Sequence, residues 1–95
     1  MKSIIKNEKS CFICGTTREL HKHHIFHGTA NRKLADKYGC WVYLCAYHHT
    51  GSDKAVHGKD GHDTDVWLKT ICQEAWEAKF GGRDAFMEVF GRSYL

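Results

Sequence analysis

The sequence predicts a small α+β domain stapled by a bound metal ion, and three observations lead there. Cys11-x-x-Cys14 and Cys45-x-x-His48 are two ligand pairs, each at the two-residue spacing that lets both members reach one ion. Trp41-Val42-Tyr43-Leu44 is dense in β-branched and aromatic residues and reads as a strand that delivers Cys45. Leu68, Ile71, Cys72, Ala75 and Trp76 fall at i, i+3, i+4, i+7 and i+8, the apolar stripe of one helix face.

With 95 residues the chain is read as one domain, and a core that small is marginal without a metal, disulfides or a partner chain. Five cysteines, no apolar leader and no stretch approaching about 20 apolar residues point to a reducing, cytoplasmic setting in which Cys-x-x-Cys binds metal. A membrane span is excluded on the same grounds. The net charge of +3 is modest, but Lys22, Arg32, Lys33 and Lys37 gather around the histidine-rich stretch, where cations neutralise phosphates without reading sequence.

Residues 1–10 are polar and basic apart from Ile4 and Ile5 and are expected to form a loose lead-in. Cys11 to Gly15 reads as a zinc knuckle, a tight turn that faces both thiolates to one ion, and Thr16 to Arg18 as a further turn. From Glu19 to Ile25 a short strand is expected, anchored by Leu20 and antiparallel to Trp41–Leu44. Its alternation sends His23 and His24 to opposite faces, so a bulge or twist is expected to bring them to one cleft.

Residues 26–39 read as a long polar loop with a helical turn around Arg32 to Tyr38. Ala46 to Thr50 reads as a short helix, Gly51 to Gly61 as a glycine-punctuated connection, and Asp63 or Thr64 as the N-cap of the striped helix. That helix is expected to end near Phe80, at Gly81-Gly82; Phe86, Val89 and Phe90 mark a shorter one closed by Gly91.

Cys11, Cys14, Cys45 and His48 form the structural zinc set. Cys40 and Cys72 match no pair and read as small core residues. Trp41, Trp67 and Trp76 read as core rather than as base-stacking groups. His23 and His24 are left over for chemistry. A phosphodiester resists neutral water, so cleavage needs a base to activate that water and a cation to stabilise the charge on phosphorus and the leaving 3′-oxygen. Imidazoles suit both tasks near neutral pH. His57 is a further ligand or phosphate contact, provided a turn brings it back to His49, whereas His21, His27 and His62 read as exposed polar residues.

Leu20 to Ile25 with His23-His24-Ile25, followed by Leu44-Cys45-Ala46-Tyr47-His48-His49, resembles the HNH endonuclease family with its ββα-metal (His-Me finger) fold. The likeness covers about Cys11 to His57 and is nearest to small phage-encoded HNH proteins similar to phage recombination-enhancement nucleases. It implies a DNA endonuclease working in the cytoplasm of a bacterial host, in phage recombination, packaging or restriction, with a recombination or packaging protein as a partner. By position, His24 is the general base, and His23, His49 and His57 hold a catalytic divalent cation: Mg2+, Mn2+, Ni2+ or Zn2+. Asn31 stands for the family's asparagine, which orients the base, and Arg32 and Lys33 contact the DNA backbone. The family half-site is usually Cys-x-x-Cys followed by His, whereas here Cys-x-x-His is followed by His, so His48 and His49 are open to exchanging roles.

The resemblance divides the chain into a lead-in (1–10), a zinc and ββα-metal core (11–57) and two C-terminal helices (63–95). Two rivals keep the zinc set. One is a zinc-ribbon module that recruits nucleic acid or protein without cutting, and the other a degenerate nuclease that depends on a partner. Zinc deaminase chemistry lacks its His-x-Glu followed by Cys-x-x-Cys.

Overall fold

The computed structural model describes all residues, 1–95. Two strands, β1 (Leu20–His24) and β2 (Trp41–Cys45), pair antiparallel in unbroken register from Leu20 opposite Cys45 to His24 opposite Trp41. Residues directly opposite share a face. His21 and His23 therefore lie on the face of Leu44 and Val42, and Lys22 and His24 on that of Tyr43 and Trp41.

The connection between the strands corrects the expected long loop, because it is helical from Thr29 to Tyr38 (α1). Asn31, Leu34, Ala35 and Tyr38 are its less exposed positions, an i, i+3, i+4, i+7 stripe. Gly39 ends the helix in the left-handed conformation at φ 73°, and a Cβ there would strike the Lys2 carbonyl oxygen.

That close approach reflects a second correction. The lead-in is docked rather than loose: Ser3 Oγ donates to the Trp41 carbonyl at 2.6 Å, and Ile4 N–H to the Gly39 carbonyl at 3.0 Å. Ile4 and Ile5 pack against the core.

After β2 comes the one-turn helix α2 (Ala46–His49). Residues 51–61 then fold back on it, with Val56 N–H donating to the His48 carbonyl at 2.8 Å and His57 N–H to the His49 carbonyl at 3.1 Å. Buried Ala55 and Val56 anchor the segment. Helix α3 (His62–Trp76) starts earlier than expected: Gly61, not Asp63 or Thr64, holds the cap position, and there is no side-chain cap. Its last turn, Glu77–Gly81, is a π-helix, and α4 (Gly82–Phe90) closes on Gly91 at φ 85°.

The core joins Ile25, Phe26, Val42 and Leu44 to Leu68, Cys72 and Trp76 of α3 and to Phe86 and Phe90 of α4. Cys40 and Cys72 are fully buried free thiols; the Cys40 neighbour and burial both push the Cys72 thiol well up, so it stays neutral. Trp41 and Trp76 are core, but Trp67 is 47% exposed and stacks on Phe12 at 5.6 Å. Gln73, which periodicity places among polar residues, is fully buried and accepts from Tyr94 N–H at 2.6 Å, tying the chain end to α3. No helix is long and apolar enough to cross a membrane.

Candidate metal centre and cleft

The two ligand half-sites meet. Cys11 N–H donates to the Thr16 carbonyl, Gly15 N–H to the Cys11 carbonyl (both 2.8 Å), and Phe12 N–H to the Tyr43 carbonyl at 2.9 Å, which fixes the knuckle against β2. The end of β2 carries Cys45, and the first turn of α2 carries His48.

The ligand atoms of Cys11, Cys14, Cys45 and His48 all lie within 4.8 Å of one another. Cys14 Sγ is 3.8 Å from Cys45 Sγ, Cys11 Sγ is 3.8 Å from His48 Nδ1, and Cys45 Sγ is 3.3 Å from His48 Nδ1. A tetrahedral zinc site has edges of about 3.8 Å between sulfurs and about 3.5 Å between sulfur and nitrogen. These three edges match that geometry to within a few tenths of an ångström, and the four residues together could hold a structural metal ion.

Burial alone would raise the Cys11 thiol, but hydrogen bonds from the Cys14, Cys45 and Ile13 backbone outweigh it and bring the thiol to about 6, so the thiolate is ready for a metal. At Cys14 the Thr16 backbone hydrogen bond pulls the other way, yet desolvation and the neighbouring thiols leave the group raised.

The second cluster is made of imidazoles. His48 stands with the thiols, while His49 joins His23 and His57, whose ligand atoms also lie within 4.8 Å of one another. The fold-back of residues 51–61 supplies the turn that His57 needs. Ring centroids are 5.3 Å apart for His23 and His49, 5.1 Å for His23 and His57, and 4.8 Å for His49 and His57.

His23 is 1% exposed, and its Nε2 is buried without a hydrogen-bond partner. Such an atom costs about 1–3 kcal/mol unless something binds it. Burial, with the neighbouring His27, His57 and His49, pushes His23 down to about 3; burial, with His57, His21 and His27, pushes His49 to about 4; and burial, with His27, lowers His57. All three rings are thus neutral at pH 7, the form in which a nitrogen lone pair binds a cation.

His24 faces the other side of β1, where its Nε2 meets Asp36 Oδ1 of α1 at 2.9 Å. With that nitrogen donating, Nδ1 carries the lone pair. Lys22 Nζ reaches the same carboxylate oxygen at 2.8 Å. The Lys22 hydrogen bond first, and that of His24 second, hold the exposed Asp36 carboxyl below its usual range. Asn31 lies on the first turns of α1 and makes no side-chain hydrogen bond, so the group that orients His24 here is Asp36.

No bulge interrupts β1, yet His23 and His24 line one cleft of about 240 Å³ together with Lys22, His27, Gly28, Arg32, His49 and His57. β1 has a partner strand on one side only, so the cleft receives side chains from both of its faces. No hydrophobic residue lines it, which suits an anionic, hydrated ligand. A second hollow beside it is lined by His24, Thr29, Arg32, Lys33 and Asp36, and neither Arg32 nor Lys33 is held in an ion pair.

His21 and His27 are exposed, as expected, but each has a side-chain partner. His21 Nδ1 lies 2.9 Å from His49 Nδ1, and His27 Nε2 lies 2.8 Å from Asp65 Oδ1. His62 is exposed, as expected. Asp36, Asp65 and His27 escaped sequence reasoning because their partners are 12 to 38 positions away and no local spacing marks them. No family model matches the chain, and neither a curated protein nor a solved structure matches it.

Proposed function

We propose that this chain is a metal-dependent HNH-type endonuclease of the ββα-metal fold, with zinc at Cys11, Cys14, Cys45 and His48, hydrolysing phosphodiester bonds in DNA. What carries the reading is one juxtaposition. His24, held through Nε2 by Asp36, and the buried, unpartnered His23 line the same polar cleft beside Arg32.

His24 Nδ1 takes a proton from the attacking water, and Asp36 stabilises the imidazolium that forms. The water oxygen bonds to phosphorus as the bond to the 3′-oxygen breaks, and the leaving 3′-oxygen takes a proton from solvent water, giving a 5′-phosphate and a 3′-hydroxyl. His23, His49 and His57 would hold a divalent cation, which would supply charge stabilisation for the reaction. Arg32 and Lys33 meet the flanking phosphates, a contact that positions DNA without reading bases. The sequence resemblance adds a phage or prophage setting in a bacterial cytoplasm and a recombination or packaging partner to the proposal.

The test is incubation of zinc-loaded protein with plasmid and single-stranded DNA, with Mg2+, Mn2+, Ni2+ or no added cation. Cation-dependent cleavage is expected. Retained DNA binding with no cleavage under any cation would favour instead a zinc-ribbon module that binds without cutting.

A further inference from the structure

Helix α3 lies outside the stretch that resembles a nuclease, yet it reaches the histidine cluster. Asp65, in the first turn of α3, accepts from His27 Nε2 at 2.8 Å through Oδ1 and from Lys69 Nζ at 2.8 Å through Oδ2. The Asp65 and Lys69 side chains are only 18% and 16% exposed. Both carboxylate oxygens thereby have a donor, which suits Asp65 to orienting His27. Because His27 gives its Nε2 proton to Asp65, its Nδ1 holds the free lone pair.

His27 also lines the cleft. Its ring centroid is 5.3 Å from His23 and 5.2 Å from His57, within the range spanned by the His23, His49 and His57 rings themselves. Potential ligand atoms lie within 4.8 Å of one another in two groupings that share His23, one with His49 and His57 and one with His27 and Asp65. His27 and the His49–His57 pair thus draw together around His23, whose Nε2 is buried without a partner, to complete a single site. Two separate ions are a poor fit for that sharing, since a neutral imidazole offers one lone pair to one metal.

We propose that His27 is a fourth imidazole ligand of the cation held by His23, His49 and His57, and that Asp65 of α3 fixes its tautomer and direction. The inference rests on the proposed cation site and extends it. A carboxylate behind a ligating histidine is a recurrent device that sets ring orientation and raises ligand basicity. An all-imidazole set would favour a late first-row transition ion over Mg2+, which prefers oxygen donors. The C-terminal helices then help to build the centre as well as bracing the core.

The experiment is a Co2+ titration of protein whose thiolate site is already filled with zinc, followed by visible absorption, for wild type, His27→Ala, His27→Gln, Asp65→Ala and His62→Ala. Wild type is expected to take up one Co2+ that excess Mg2+ does not displace. Affinity should fall about 10- to 100-fold in both His27 variants and in Asp65→Ala, and stay unchanged in His62→Ala. The Gln variant keeps a donor for Asp65, so its loss reports ligation rather than folding. Unchanged affinity in His27→Gln, or displacement by Mg2+, would overturn the four-imidazole site while leaving the nuclease reading intact. No Co2+ uptake by wild type would overturn both.

Discussion

His24 Nε2 lies 2.9 Å from Asp36 Oδ1, so the ring that offers its Nδ1 to the cleft is aimed by a carboxylate on the next element of the chain. Asp36 sits two turns into α1, and α1 is short and capped at Gly39, which sets where that carboxylate falls against β1. The helix thereby converts an ordinary surface aspartate into a positioning residue.

Removing that carboxylate should weaken cleavage without disturbing the metal centre. Asp36→Ala is expected to lower the cleavage rate about tenfold or more, since orienting partners of catalytic and ligating imidazoles act at that scale. Zinc content and thermal stability should match wild type, because the side chain is more than half exposed. Asp36→Glu should restore part of the rate. A rate within twofold of wild type in Asp36→Ala would remove Asp36 from the mechanism.

The thiolate site should behave as part of the fold. Core residues Cys11 and Cys45 belong to the set that could hold the ion, and the N-terminal knuckle joins β2 through Phe12 N–H, so losing an ion there would free one edge of the core. Chelation, or Cys45→Ser, is expected to abolish cooperative thermal unfolding followed by circular dichroism, as metal binding supplies folding free energy in domains of this size. An unchanged melting curve after chelation, with zinc verified absent, would show that the four residues are packing groups only.

Gly61→Ala tests how His57 is placed. A Cβ at Gly61 would run into the Ala55 carbonyl oxygen, at the base of the fold-back that puts His57 N–H on the His49 carbonyl. The backbone must shift, at a cost of roughly 1–3 kcal/mol in denaturant unfolding of the zinc-bound protein. Cation affinity at the imidazole cluster should fall with it, while the thiolate site keeps its zinc. A variant as stable as wild type would show that this connection gives way freely.

What could be read from the sequence was local. Each half of the thiolate set is a two-residue spacing, the α3 stripe is a helical period, and the β-branched, aromatic run of β2 is a strand wherever it packs. The pairing of β1 with β2 followed from those parts. Helix α1 is not legible as a helix beyond its turn around Arg32 to Tyr38, although its Asn31, Leu34, Ala35 and Tyr38 stripe is present. The stripe is periodic but rests on Leu34, Ala35 and Tyr38 alone within a ten-residue segment that is polar on average and bracketed by Gly28 and Gly39, as a loop would be.

That misreading hid Asp36, because a residue assigned to a loop has no fixed direction. The bonds of His27 to Asp65 and of His21 to His49 depend on where α3 and α2 come to rest, which no spacing within either segment encodes. The buried Gln73 is a similar case: its partner is the backbone of Tyr94, set by the path after α4.

The most direct test of the central claim compares wild type with His24→Ala in single-turnover cleavage of plasmid DNA, with zinc and added-cation content measured in both. The expected result is a fall of about 100-fold or more in the variant, the usual worth of a general base, with both metal contents unchanged. Equal cleavage by the two proteins at equal metal content would contradict the assignment of His24 as the base.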